Sequence, residues 1–323
     1  MRSRPVISVA VSCYNFGAFI GPCLEGLVTQ QCSVPFEIVV VDDGSTDHSP
    51  AVIEAVRARH PHLVRFLPHA KNRGADATKQ TACGACLGDY IAFLDGDDLA
   101  YPGKLEAQYR YLLENPDCIL CYHDMDLVDR TGRRLDRTFA DKFYNQQHIP
   151  AKAGMEHLVT YGTFLVASSQ MFRREAFQAG LLPGHIRCVG DFYYHIHSAS
   201  LGLLGRLDDC LGAYRKHDDS FCGLTRHSVE RRWQALQDIL DACDHAAELG
   251  LDREIVARGK AHFRFAAALF FLKRGHHEDF GKAMEQSGVG GHFFDARHET
   301  LFRLRHDPDR ALATFEKGAT SRA

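Results

Sequence analysis

The chain has 323 residues, of which 45% are hydrophobic and 24% charged, so it can bury a substantial core as one large or two ordinary domains. A formal net charge of −3 supplies no basic field for a nucleic-acid backbone or an anionic membrane, and disfavours both as primary partners. No uncharged apolar run reaches the roughly 18 residues of a membrane-spanning helix, and the early run with Arg2 and Arg4 lacks a convincing cleavage site. The expected location is the cytoplasm, compatible with peripheral attachment at the inner face of a membrane. In chain order, strand and helix signals alternate over the first hundred residues. Val6 to Ser12 is a β-rich run, Phe19 to Gln30 has helical spacing, and Glu37 to Val41 is a continuous apolar strand ending in Asp42-Asp43-Gly44-Ser45. Ser49 to Arg59 reads as helix, Leu63 to Leu67 as strand, Ala75 to Leu87 as helix and Tyr90 to Leu94 as strand, closing on Asp95-Gly96-Asp97-Asp98.

This βαβαβαβ order predicts a mostly parallel sheet flanked by helices, which binds ligands at the carboxyl ends of its strands. Both acidic clusters fall at such ends. A helix is expected over Leu105 to Glu114 and a strand over Cys118 to Val128, with a turn at Asp129 to Gly132. The polar and aromatic stretch from Arg133 to Pro150 shows no periodicity and reads as a mobile loop near the site. Structure resumes over Leu158 to Phe172, and Phe192 to Leu201 reads as helix. From about residue 225 helical periodicity runs almost throughout, as in Phe263, Ala267, Phe270 and Phe271. That suggests an all-helical C-terminal module for docking or acceptor binding, with a homodimer left open. Eleven cysteines include Cys83-Gly-Ala-Cys86 and Cys118-Ile-Leu-Cys121, which have zinc half-site spacing. The first pair lies in a helical stretch. The second lies in a strand whose alternation separates the two side chains, so these are read as buried thiols of a reducing compartment.

Asp95-Gly-Asp-Asp98 is the sharpest local feature. Asp and Gly terminate the preceding strand and leave carboxylates at the sheet edge, where Mg²⁺ or Mn²⁺ could be held with substrate phosphates; four ordinary turn residues are the plainer alternative. Its companions, in order, are Val9-Ala-Val-Ser-Cys-Tyr-Asn15, Glu37-Ile-Val-Val-Val-Asp-Asp-Gly-Ser-Thr-Asp47, Asn72-Arg-Gly74 and Gly88-Asp-Tyr-Ile-Ala-Phe-Leu-Asp-Gly-Asp-Asp98. With this series the chain resembles glycosyltransferase family 2, closely over residues 6 to about 103 and more weakly to about 220. The resemblance implies a GT-A fold, a nucleotide-sugar donor (UDP-linked by preference), a glycan or lipid-linked acceptor and inversion at the anomeric carbon. The chain is then divided into a nucleotide-sugar-binding half at 1–104, an acceptor-binding and catalytic half at 105–224 and, from its periodicity, the helical module at 225–323.

Carried over by position, the resemblance puts Ser12, Tyr14 and Asn15 at the nucleotide, with Tyr14 against the base. Asp43 would accept a hydrogen bond from the base and Asp42 would support that loop. Asp95 and Gly96 would adjoin the ribose or donor sugar, and Asp97 would ligate the metal. Family members often carry Arg in the helix before the Gly-x-Tyr strand; Lys79 stands there instead, a point charge rather than a bidentate fork. In the second half, Cys188-Val-Gly-Asp191-Phe-Tyr-Tyr precedes Leu211-Gly-Ala-Tyr-Arg215-Lys-His217-Asp-Asp-Ser220, similar to the family's acidic helix start and its Tyr-Arg-x-His-x-x-Ser segment. Asp191 is then the general base, or a helix N-cap. His217 is a metal or pyrophosphate contact, or a loop histidine. His195 and His197, two apart on one helix, cannot face one point and read as structural or acceptor-side. A dinucleotide oxidoreductase would need Gly-x-Gly-x-x-Gly where Ser12 to Gly17 stands. A sugar-phosphate nucleotidyltransferase would want a basic Gly-rich loop there, and a catalytically silent nucleotide-binding scaffold is the remaining alternative.

Overall fold

A computed structural model describes residues 4–143, 145–217 and 228–320. The expected boundary near 225 and the motif's Ser220 lie outside the described residues. The first hundred residues build β1 (Ile7–Cys13), α1 (Ile20–Val28), β2 (Phe36–Asp42), α2 (Ser49–Arg59), β3 (Val64–Pro68), α3 (Ala75–Ala85) and β4 (Tyr90–Asp95). β1 pairs in parallel with β2 on one side and β4 on the other, with Val9 opposite both Ile38 and Ala92. Both faces of these strands are covered: Val9, Val11, Ile38, Val40, Ala92 and Leu94 are buried on one, and Ala10, Val39, Val41, Ile91 and Phe93 on the other. That double burial explains their runs of β-branched residues without polar alternation.

The chain continues through β5 (Leu99–Ala100), α4 (Lys104–Glu114), β6 (Cys118–Val128), β7 (Arg134–Thr138), β8 (Lys152–Ala153), α5 (Met155–Tyr161), β9 (Gln170–Arg173), α6 (Gly190–Leu201) and β10 (Leu203–Arg215). The sheet order is β3-β2-β1-β4-β9-β6-β10-β5, with β7 on β6 and β8 on β10. β9 runs antiparallel between β4 and β6, and β10 is parallel to β6. The expected loop at 133–150 is corrected in part. Residues 134–138 form an edge strand on β6, with Val128 opposite Arg134, and their mostly exposed side chains left no apolar alternation to read. Cys83, Cys86, Cys118 and Cys121 are buried free thiols.

Beyond the described gap come α7 (Val229–Glu248), α8 (Arg253–Leu272), α9 (His277–Ser287), α10 (Ala296–Arg303) and α11 (Pro308–Thr320). Ser228 caps α7 by accepting the Arg231 N–H, and Asp252 caps α8 by accepting the Glu254 N–H. Their core holds Leu236, Phe265, Phe271, Phe280, Met284 and Leu301. The chain divides into two compact units. One takes Met1–Gly154, Thr163–Pro183 and His197–Gly223; the other takes Met155–Gly162, Gly184–Ile196 and Leu224–Ala323. The helical unit therefore recruits α5 and the start of α6 from ahead of residue 225. Its reason is local: the Thr160 carbonyl hydrogen-bonds His262 Nδ1 of α8 at 2.8 Å, and Phe192 of α6 packs edge-on against Phe263. Among the described residues no helix is long and apolar enough to cross a membrane.

Candidate active site

The parallel register carries the ends of β1, β2 and β4 to one edge, with Cys13 opposite Asp42 and Ser12 opposite Asp95. The ladder continues one step past the strands: Asp43 N–H donates to the Cys13 carbonyl and Gly96 N–H to the Ser12 carbonyl, both at 2.8 Å. Ser12 Oγ donates to Asp95 Oδ1 at 2.8 Å, so the expected nucleotide-site serine and the first carboxylate of the acidic turn are one unit. Gly96 has a packing reason: a Cβ there would stand 2.7 Å from the Ser12 carbonyl oxygen and 2.9 Å from Ile20 Cδ1. The close backbone approach alone therefore calls for glycine at this position.

Asp42 is 1% exposed and ties down the loop that follows it, accepting the Ser45 N–H at 2.9 Å and the Ser45 hydroxyl at 2.5 Å. Asp43 is 2% exposed, and its carboxylate accepts the Arg73 and Gly74 N–H groups at 2.9 and 2.8 Å and meets His69 Nδ1 at 2.7 Å. His69 passes the contact on to the Thr81 hydroxyl at 3.1 Å. Asn15 sits at φ 55°, a left-handed conformation Asn tolerates, and its carboxamide oxygen accepts the Thr46 N–H. Gly17 N–H donates to Asp47, which also accepts from the N–H and hydroxyl of Ser49 at the start of α2. Burial opposes the Asp47 charge, but these bonds outweigh it and hold the carboxyl below its ordinary range. The 14–17 and 43–47 loops are thus zipped together, while the Tyr14 ring stays 40% exposed beside them. Lys79 is 8% exposed with its ammonium 4.6 Å from the Phe93 ring centroid, a contact with an aromatic face.

The acidic turn is locked from β10. Arg215 is 4% exposed; its N–H donates to Asp98 Oδ1 and its Nε to the Asp97 carbonyl, each at 2.8 Å. Its Nη1 reaches the Asp129 and Arg130 carbonyls, and its guanidinium lies 4.9 Å from the Phe19 ring centroid. Two residues on, His217 packs on the same Phe19 at 5.0 Å and brings Nε2 to 2.9 Å from Asp97 Oδ2. The sequence pointed to both members of that pair. Burial, then the charges of Asp97 and Asp95, pushes the Asp98 carboxyl well above its ordinary range against the lowering by the Ser168 hydroxyl and the Arg215 N–H. Three carboxyls so close, one driven towards its neutral form, mark a place deficient in positive charge.

Below the turn, Lys104 is fully buried, donating to the Ser168 carbonyl at 2.9 Å and meeting His123 Nε2 at 2.7 Å. Burial pushes Lys104 down to about 7 and, with the Lys104 charge second, holds His123 neutral. Ser168 Oγ accepts the Asp95 N–H at 3.0 Å, so this buried pair braces the turn through one serine. His69, Asp47, Lys104, His123 and Ser168 were not singled out in the sequence. Two of them carried a signal: Asp47 closes the 37–47 motif, and His69 stands just past the carboxyl end of β3.

Among the described residues no three His, Cys, Asp or Glu side chains converge as a ready metal cage. An oxygen and a nitrogen donor side by side, with surplus carboxylate nearby, nonetheless fit a hard divalent cation that completes its shell from phosphate oxygens and water. Asp191 lies in the first turn of α6 and belongs to the helical unit, whereas Asp95, Asp97 and His217 belong to the sheet unit.

The profile of Glycosyl transferase family 2 matches residues 8–181, just over half of the chain. An uncharacterized protein of Mycobacterium tuberculosis is 27% identical over 212 residues, 65% of this chain and 59% of its own length, so the chain spans under two thirds of that relative. Among solved structures, S. aureus TarS 1–349 in complex with UDP-GlcNAc superposes with a TM-score of 0.67 at 16% identity, covering 97% of this chain and 92% of that one. The mannosyltransferase PcManGT from Pyrobaculum calidifontis, in complex with GDP-Man and Mn²⁺, gives 0.61 at 18%, covering 97% and 87%. These two likenesses show the fold, which is GT-A with a C-terminal helical region. Motif order, sheet topology and the family match agree: the chain belongs to glycosyl transferase family 2.

Proposed function

We propose that the chain is an inverting glycosyltransferase that moves a sugar from a UDP-linked donor to a hydroxyl of a glycan or lipid-linked acceptor. The observation that carries the reading is the Asp97–His217 pair at 2.9 Å on the carboxyl edge of a family 2 sheet. The choice of UDP leans on the UDP-GlcNAc held by TarS, and the choice of a divalent cation on the Mn²⁺ held by PcManGT. In this reading the exposed Tyr14 ring stacks on the base, and Ser12 orients the Asp95 carboxylate beside the ribose or donor sugar. Asp43 fixes the 72–74 turn that borders the base. Asp97 and His217 would hold Mn²⁺ or Mg²⁺, and such a cation, when bound, neutralises the departing diphosphate. Arg215 keeps the Asp97 backbone in place throughout. Asp191 takes the proton of the attacking hydroxyl, a contribution of roughly 10² to 10⁴. Residues 1–104 serve the donor, 105–224 the acceptor and the chemistry, and 225–323 docking or acceptor binding.

The test is release of nucleoside diphosphate from UDP-GlcNAc and from GDP-Man, each incubated with the full chain and Mn²⁺. Turnover, lost in Asp191→Asn with donor binding kept, is the expected result. No turnover across a wider panel of nucleotide sugars, with thermal stabilisation by UDP retained, would leave the chain a silent nucleotide-binding scaffold.

A further inference from the structure

Helix α7 carries a buried acid that the reaction as described does not use. Asp238 is 0% exposed, and its Oδ2 accepts three consecutive backbone N–H groups, from Arg187, Cys188 and Val189, at 3.0, 2.5 and 3.0 Å. Gln234, one turn earlier, donates from Nε2 to Asp238 Oδ1 at 2.6 Å. Three successive amides turned onto one anion form a nest, in which the backbone conformation is fixed by the charge it surrounds. The nest ends immediately before Gly190, the first residue of α6, so it dictates how the chain enters the helix whose second residue is Asp191. The same helix is held sideways by the helical unit: Phe192 meets Phe263 edge-on at 5.5 Å, and Tyr193 stacks on His245 at 4.4 Å. A buried carboxylate is costly unless its charge is met, and the three amides with the Gln234 donor meet it.

We propose that Asp238 is a positioning residue for transfer: its carboxylate, by gathering the amides of 187–189, sets the orientation of Asp191. The inference rests on Asp191 being the base, and it gives the helical unit a part in the chemistry. Asp238 itself touches no substrate in this scheme. Its effect should appear in the chemical step and leave donor binding alone, because a misplaced group of this kind costs up to about 10²-fold in rate.

The experiment compares Asp238→Asn, Asp191→Asn and the double variant of the full chain. It measures UDP release from UDP-GlcNAc with Mn²⁺, KM and kcat separately, and amide hydrogen exchange over 187–194. Asn keeps the size of Asp238 while replacing one carboxylate oxygen by a donor. The expected result for Asp238→Asn is faster exchange over 187–191, kcat lowered about tenfold or more with KM within about twofold, and a double variant no slower than Asp191→Asn. Asp238→Asn with unchanged kcat and exchange, or losses that multiply in the double variant, would overturn the inference while leaving Asp191 as base. Near-normal turnover by Asp191→Asn would instead overturn the base assignment, and the inference with it. Should Asp238→Asn not fold, Gln234→Leu removes the donor on Oδ1 from the half-exposed side. A fall in kcat that vanishes in the Asp191→Asn background supports the proposal, and an unchanged kcat rejects it.

Discussion

Buried polarity is handled in opposite ways in the two units. At the sheet edge buried carboxylates are clustered, and they are met by backbone amides, a hydroxyl and imidazoles: Asp42 by Ser45, Asp43 by Arg73, Gly74 and His69, Asp97 by His217, Asp98 by Arg215. In the helical unit, two of the buried polar groups are imidazoles stacked on rings. His262 lies flat on Phe294 at 3.7 Å and His298 on Phe265 at 4.2 Å. Burial pushes both histidines down to about 4, so they are neutral packing elements at neutral pH. Clustered charge costs desolvation and mutual repulsion, which makes a cluster of buried carboxylates a candidate for binding. The carboxylate edge therefore points to function, whereas most of the 19 histidines do not.

The largest effect separating the two regions is expected from Asp97→Asn. It removes the charge opposite His217 with little change of shape, and transfer should fall by roughly 10² or more while the melting temperature stays near that of the parent. Steady-state kinetics beside a thermal melt check this. A large loss of stability with activity retained would make the acidic turn structural.

Acid should act first around the buried neutral histidines, His262 and His298 of the helical unit and His123 of β6, and not at β1 and β4. His262 and His298 have native values below the ordinary 6.5, so the unfolded chain binds more protons between about pH 6.5 and 4, and stability falls as pH drops through that window. The limit is about 3 kcal/mol per histidine, from about 2.5 units at 1.36 kcal/mol each. Amide exchange at pH 7 and pH 5 should show α8 and α10 loosening ahead of β1 and β4. The reverse order would contradict the contrast.

Gly96→Ala places a methyl against the Ser12 carbonyl and should cost about 1–3 kcal/mol, read as a lower denaturant midpoint. The smallest effect belongs to Tyr14→Ala. Its exposed ring holds nothing in the core, so stability should be unchanged, while UDP affinity drops about tenfold if a base stacks there. Unchanged affinity would move the base elsewhere.

Much of this was legible in the sequence because one physical signal dominated. Strands buried on both faces read as apolar runs, and each ended in residues that strands reject, which located Asp42, Asp43, Asp95 and Asp97 at one edge. β10 was not legible as a strand. Its Leu-Leu-Gly-Arg-Leu-Asp-Asp-Cys sequence carries glycines that other groups demand, such as Gly205 beneath the Tyr111 ring, and its register shifts at bulges. The brace of Lys104, His123 and Ser168 could not be read either, because its members lie far apart in sequence and meet only through the packing of α4, β6 and the turn before β9. Asp238 was hidden for the same reason, sitting in an amphipathic helix where an acid looks like ordinary surface.

Calorimetric titration of UDP into the full chain addresses the metal-centred reading at its root. Three neighbouring carboxyls should repel a diphosphate unless a cation intervenes. Binding is therefore expected with Mn²⁺ present, and is expected to weaken about tenfold or more both in EDTA and in Asp97→Asn. Equal affinity in EDTA and in Mn²⁺, with Asp97→Asn indistinguishable from the parent, would contradict it.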